Sequence, residues 1–427
     1  MNPSPSELAE TEKRNRHNFI VNILDGTNFW LGYSFIAPGV ILPLYVSHYT
    51  SSTFLIGLVT VISTMGYFLP QLFTANWVQR LPVKKVLPVN VGLFTERLPL
   101  FLLPLAALIF ANNPRLALIL FFLLFAWHSF GAGIIAVAWN DMIAKIIPIE
   151  RRGRFMGITG FGGQTMGVVG ASLAAWLLDH YAFPRGYVYS FAIGAFFIFI
   201  SWIFIAQTRE LPVKTQEKPV SNREFWSKLP ALLKSDPNFS RFVLCMIVVN
   251  LSGLGWGFLA VYTMKHWNLL DGDVSLYNIT LLVGMAAGNV VFGWLADRRG
   301  YKLVIEISAC VAILAIILTI LSPSAIWFHL VFLLRGISAG GFFLGTMIAL
   351  EFGPVAVRPT YIGLNNTSSG IITGVAPVIG GLLAGTIGYS GMFQVAAVLG
   401  CLGLVILHFL VMEPRSVKIK VERKITV

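Results

Sequence analysis

Twelve apolar runs, each long enough to cross a hydrocarbon layer as a helix, constrain this chain more than any other feature. A bilayer core of ~30 Å takes about 20 helical residues. The runs lie near 19–46, 53–79, 85–111, 115–146, 154–180, 186–207, 239–265, 273–297, 302–321, 325–352, 360–388 and 391–411. Several exceed the minimum, which predicts tilt or projection beyond the bilayer. Soluble domains are about a quarter charged residues. Here the charged fraction is 12% against 56% hydrophobic, and the mean hydropathy is +0.75. The short alternating strands of a membrane barrel are not seen. The pattern predicts an all-α, multi-pass membrane protein. The opening stretch MNPSPSELAETEKRNRHN is polar and holds no apolar core. No cleavable signal peptide is therefore expected, and the first apolar helix directs insertion. Cys245, Cys310 and Cys401 are scattered inside apolar runs and read as packing residues, not as a disulfide or metal set.

Charge sets the orientation. With the N-terminus inside, all but five of the 31 Lys and Arg fall on inner segments; Arg115, Arg185 and Lys265 lie outside, and Arg97 and Arg335 lie within spans. The net charge of +12 thus reads as positive-inside topology in a cell membrane, with both termini cytoplasmic, and not as a nucleic-acid face. A polar, basic stretch, TRELPVKTQEKPVSNREFWSKLPALLKSDPNFSR, splits the runs six and six. The expected parts are an N-terminal tail (1–18), a six-helix bundle (19–207), a cytoplasmic loop (208–238), a second six-helix bundle (239–411) and a basic tail (412–427). FWSKLPALLK reads as a tether with one amphipathic turn, or as a short surface helix.

The two halves repeat. LFAWHSFGAGII (124–135) aligns with LLRGISAGGFF from Leu333, placing Trp127 against Arg335 and Gly133 against Gly341. RRGRFMG (151–157) aligns with VRPTYIG (357–363), and TANWVQRLPVKK aligns with FGWLADRRGYK. The order is the same three times. Duplicated six-span halves point to a transporter.

GWLADRRGYK (293–302) sits between spans eight and nine. It resembles the signature loop of the major facilitator superfamily, G-x-L-a-D-R-x-G-R-K. Gly293, Leu295, Asp297, Arg298, Gly300 and Lys302 match, and Tyr301 departs. The copy after span two is eroded: Ala75, Gln79 and Pro82 replace Gly, Asp and Gly. The resemblance covers the whole chain. It implies two pseudo-symmetric six-helix bundles, a monomer, and alternating access around a central cavity. It also implies an inner ionic gate, here in the C-terminal half. Gly293 permits close helix approach. Asp297 is expected to accept hydrogen bonds from the N-terminus of span eleven or to pair with Arg358, with Arg298, Gly300, Lys302 and Glu351 in the same cluster. Asp141 is expected to pair with Arg152 or Arg154. The alternative is that the loop merely anchors helix ends.

Charges inside the spans are the other candidates. Asp25, in VNILDGTNFWLG, costs several kcal/mol at such depth unless it faces a cavity or a partner. It reads as a proton-linked carboxylate, or as an interfacial Asp paired with a loop Arg. Glu96 and Arg97 are adjacent in span three. Their directions differ by ~100°, so one is expected to face the cavity and the other a neighbouring helix. Arg335, mid-span ten, suits an anion clamp or a charge partner for a carboxylate. The equivalent of the drug/proton exchangers' span-four Arg is here Trp127. His128 reads as a proton relay or a packing histidine. Asn28, Trp30, Gln164, Asn250, Trp256, Asn289 and Asn365 suit a cavity for an amphipathic solute, or interhelical hydrogen bonds. Small-x-x-x-small pairs such as Gly253/Gly257, Gly284/Gly288 and Gly341/Gly345 predict close helix packing.

No P-loop, HExxH, CxxC set or GxSxG occurs, so no enzyme, metal or cofactor is expected. The reading is a secondary carrier of a small organic solute, driven by a proton gradient. Export of an amphipathic compound stands first. Uptake of a sugar, organic acid or peptide, and lipid flipping, are the alternatives. A receptor or scaffold on the same fold is the reading from a different class.

Overall fold

The computed structural model describes residues 4–212, 221–267 and 271–416. Part of the expected inner loop (213–220) and the tail beyond Ser416, with Lys418, Lys420, Arg423 and Lys424, lie outside the described residues. The regular structure of the described residues is helical throughout, without a strand. The chain divides into two compact units. The first takes Met1–Pro148 and Gly162–Glu217, and the second Ile149–Phe161 and Lys218–Val427.

The first unit holds α1 (Pro5–Ser34), α2 (Ile41–Ser47), α3 (Thr53–Phe68), α4 (Pro70–Gln79), π-helical turns at Leu87–Val91 and Leu93–Arg97, α5 (Leu98–Ile109) and α6 (Pro114–Ile146). It also holds most of α7 (Arg152–His180) and all of α8 (Arg185–Ala206). Helix starts follow local chemistry. Ser4 and Glu7 form a capping box at α1, and Asn113 with Pro114 opens α6, each satisfying free N–H groups of a first turn. An aromatic core of Phe35, Tyr45, Phe121, Phe125 and Phe191 holds the unit together.

The second unit begins with the first turns of α7. It continues with α9 (Asn222–Ser235), α10 (Pro237–Ser252), a 3₁₀ stretch (Gly253–Phe258), α11 (Leu259–Trp267), α12 (Asp271–Arg299), α13 (Tyr301–Leu321), α14 (Trp327–Gly345), 3₁₀ turns at Thr346–Leu350 and Val355–Val357, and α15 (Arg358–Leu410). The single amphipathic turn expected near FWSKLPALLK is instead the 14-residue α9. Ser221 caps it, and Phe225 and Leu229, four residues apart, bury one face. Without a hydrophobic drive between helices in lipid, close backbone packing must hold them. A Cβ on Gly288 would lie 2.6 Å from the Ile337 carbonyl, and one on Gly340 2.8 Å from that of Met285, so α12 and α14 meet backbone to backbone. Gly257 and Gly385, expected in similar pairs, meet nothing within 4 Å among the described residues.

Among the described residues, ten helical stretches are long and apolar enough to cross a membrane. Nine match single expected spans. The tenth, Val355–Ser416, takes in both 360–388 and 391–411, parted at Gly388 (φ 75°). Residues 19–46 form no such stretch, because α1 ends at Ser34 and a turn precedes α2. Phe409, Ile109 and Leu321 stay largely exposed, as lipid-facing side chains do. This is a multi-pass membrane protein.

Candidate functional site

A charge cluster of the second unit is built on the 293–302 loop. Asp297, in the last turn of α12, accepts from the Gly153 N–H (2.6 Å) and the Arg154 N–H (2.9 Å), and from Arg154 Nε at 3.1 Å. Its partner is therefore the start of α7. The sequence pointed to the N-terminus of span eleven or to Arg358, and a steric feature explains the contact with α7. A Cβ on Gly153 would overlap the Gly293 carbonyl, and one on Gly157 would lie 2.6 Å from the Asn289 carbonyl. Glycines let the helix start reach the carboxylate, and the free N–H groups there attract an anion.

Glu351 joins this cluster through a residue that the sequence reading counted only as tail charge. Arg415 Nε lies 2.8 and 2.9 Å from the two Glu351 oxygens, and its Nη2 lies 2.7 Å from Oε1. Arg415 Nη1 donates to the Ala296 carbonyl at 2.9 Å. Its guanidinium sits over the Tyr301 ring. Buried Arg152 and Arg358 add positive charge around Glu351. Gly300 has φ 88°, and a Cβ there would press on the Glu413 carboxylate. Glu413 in turn accepts from the Lys302 N–H at 2.9 Å. Lys302 Nζ donates to the His408 carbonyl at 3.0 Å, and Arg298 stacks on Trp294 at 4.0 Å.

The first unit answers with a different set. Glu210, just past α8, accepts from the Lys84 N–H (2.9 Å), the Lys85 N–H (2.7 Å) and Lys145 Nζ (2.6 Å). Asp141 lies 3.6 Å from Lys84 Nζ, and Arg154, one of its two expected partners, is taken by Asp297. Burial lowers the Lys84 pKa below the usual lysine value, partly offset by Asp141. Glu210, Glu413, Lys84 and Arg415 were not foreseen. The signal for the acids was a Glu followed within two residues by Pro after the last helix of each half (RELP, MEPR).

Deeper in the first unit, Asp25 is buried and accepts from Ser201 Oγ at 2.6 Å. Arg97 and Glu96 are the charges that act on it, and no loop arginine holds it. Glu96 and Arg97 are both buried and bond to each other, Nη1 to Oε2 at 2.5 Å. Separate partners were expected. The π-helical backbone there winds more residues into each turn than an α-helix, and two long side chains fold back to meet. His128 Nδ1 lies 2.7 Å from the Glu96 carbonyl. A carbonyl only accepts, so Nδ1 carries the hydrogen. Trp30 leans on Gly163, Asn28 bonds back to Leu24 in its own helix, and Trp127 and Gln164 are partly or largely exposed.

In the second unit, Asn250 bonds to Met246 and meets Thr373 at 3.4 Å. Asn289 is buried against Gly160, and Asn365 bonds to Asn366. Arg335 stacks over Trp256, 4.5 Å from its ring centroid. All the gate candidates but Asp141 belong to the second unit, and Asp141 belongs to the first. It leaves the cavity candidates in two groups, one in each unit.

Membrane-length helices with buried ionisable groups deep within them are the framework of a membrane transporter. The sequence model of the Major Facilitator Superfamily matches residues 19–351 and 279–426, and the chain belongs to that family. A gallate transporter of Pseudomonas putida is 23% identical over 83% of this chain and 82% of its own length. The human SVOPL protein is 30% identical, but the match covers 36% of this chain and 31% of SVOPL. This chain therefore spans about a third of that relative. The structure of FucP in its outward conformation superposes with a TM-score of 0.73 at 16% identity, over 92% of this chain and 99% of FucP. That likeness shows the fold.

Proposed function

We propose that this chain carries a small organic solute into the cell together with protons. In this reading twelve spans form two six-helix bundles in the cell membrane, with both termini inside. The α7–α12 bonds of Asp297 open and close with the transport cycle. One observation carries the coupling. Asp25 lies buried deep in a helix, with the Ser201 hydroxyl and the Trp139 indole as hydrogen-bond donors and the Glu96–Arg97 pair nearby. A proton on Asp25 would cancel its attraction to Arg97 and turn it from acceptor to donor toward Ser201. Loaded and unloaded forms would then favour different helix arrangements.

Uptake is preferred to the export first expected. The exchangers' span-four Arg is replaced by Trp127, and a FucP structure is described as that of a fucose:proton symporter. The test uses proteoliposomes holding a pH-sensitive dye, challenged with organic acids, sugars and amphipathic amines. Substrate-dependent acidification of the lumen, lost in Asp25→Asn and Glu96→Gln, is the expected result. Alkalinisation would reverse the direction to exchange. Solute flux without proton movement in wild type would end the coupling reading.

A further inference from the structure

Arg335 is a cation in the middle of a membrane helix, and no acid answers it. Among the described residues no carboxylate and no hydrogen-bond acceptor meets its guanidinium. The nearest acid along its own helix direction, Glu351, is 16 positions on, roughly 24 Å of helical rise, and is held by Arg415. Asp297, Glu306 and Glu413 lie at the same inner end and have bonds of their own. The face of α14 with Gly336, Ile337 and Gly340 packs on α12. Arg335 points off that face, onto Trp256.

Stacking on an indole offsets only part of the cost of a guanidinium at this depth. A structural arginine in such a place is ordinarily paired. A guanidinium carries five N–H donors, and none of them meets an acceptor among the described residues. The 3₁₀ stretch 253–258 shapes the other wall. A Cβ on Gly253 would lie 3.2 Å from the Trp256 ring, and one on Gly255 2.8 Å from Phe393. Gly253 therefore gives the indole room under the arginine, and Gly255 lets the stretch pack closely on Phe393. Trp256 packs against the same apolar cluster as Phe258, Tyr262 and Tyr389, in which the Tyr262 ring lies 5.9 Å from Tyr389 and the Tyr389 ring 6.4 Å from Phe258.

We propose that Arg335 and Trp256 form the subsite for a small planar organic carboxylate, with the guanidinium taking the carboxylate and the aromatic wall the flat body. This rests on the carrier reading and names its substrate class. A forked guanidinium matches a carboxylate's two oxygens, and a flat unsaturated body stacks on aromatic faces at little entropic cost.

The test is equilibrium binding, without any gradient, of benzoate, cinnamate and fumarate to the purified full chain in zwitterionic nanodiscs, read by calorimetry. Benzamide serves as the neutral twin of benzoate. At least one carboxylate should bind wild type, and benzamide should not. Arg335→Gln should weaken binding roughly ten- to hundredfold, as loss of a charge-assisted contact does. Arg335→Lys should keep the charge but lose the fork, and so fall between. Trp256→Leu should weaken benzoate more than fumarate. If Arg335→Gln does not fold, the Lys and Trp256 variants carry the test. No binding of any carboxylate to wild type, equal binding of benzamide, or unchanged affinity in the Arg335 variants would overturn the proposal. Carboxylate binding without proton movement would end the coupling reading and leave this one standing. Proton-coupled flux of a neutral sugar would do the reverse.

Discussion

The two units solve one problem with different chemistry. In each unit a glutamate just past the last helix accepts from the backbone N–H groups of the loop lysines: Glu210 from Lys84 and Lys85, Glu413 from Lys302. There the likeness stops. Glu210 also takes the Lys145 ammonium, and its side chain is fully buried. In the second unit the buried charge pair is a separate one, Glu351 with Arg415, and Arg415 also ties down the end of α12. The loops differ in the same sense. Asp297 binds the start of α7, whereas its counterpart by repeat is Gln79, whose neutral amide offers a helix N-terminus no charge. An eroded motif keeps the part that anchors its own loop and loses the charge that caps a helix start.

Four measurements would break or sharpen this contrast, read as thermal stability of the purified protein and as transport in liposomes. The largest effects are expected from Glu210→Gln and Arg415→Gln. Each leaves a buried charge without its partner, which costs about 3–5 kcal/mol. Similar losses in both would show the two clusters to be equivalent anchors; a loss in only one would break the comparison. Next comes Asp297→Asn, which weakens the capping of α7 by about 1–2 kcal/mol and should shift the balance between inward- and outward-facing states. The matching Gln79→Asp should leave that balance unmoved. Gly300→Ala should cost about 1–3 kcal/mol, because a residue with a side chain is strained at φ 88° and its Cβ meets Glu413. The smallest effect belongs to Arg154→Ala. Its side chain is 56% exposed, and such a pair is worth about 0.2–1 kcal/mol. A large loss there would mean that the side chain, and not the backbone N–H, holds Asp297.

Much of this was legible before any coordinates. Helix positions were readable because lipid forces each crossing segment to satisfy its own backbone and to be apolar for a fixed length. The 293–302 loop, with Asp297 and Gly300, was readable because its charges stand out in an apolar chain. The partners were not. That Asp297 meets α7, that Glu351 meets Arg415, and that Glu96 turns to Arg97 are contacts between residues whose separation along the chain carries no information about distance. Only the packing of glycine faces and the winding of the π-helical turns decided them. Composition and spacing by themselves determined a helical, multi-pass membrane protein with a charge cluster in the 293–302 loop. The tertiary structure decided which charge is answered by which, and left Arg335 without an acid among the described residues. Pairing depends on distances of a few ångströms in three dimensions, and a linear pattern does not record them.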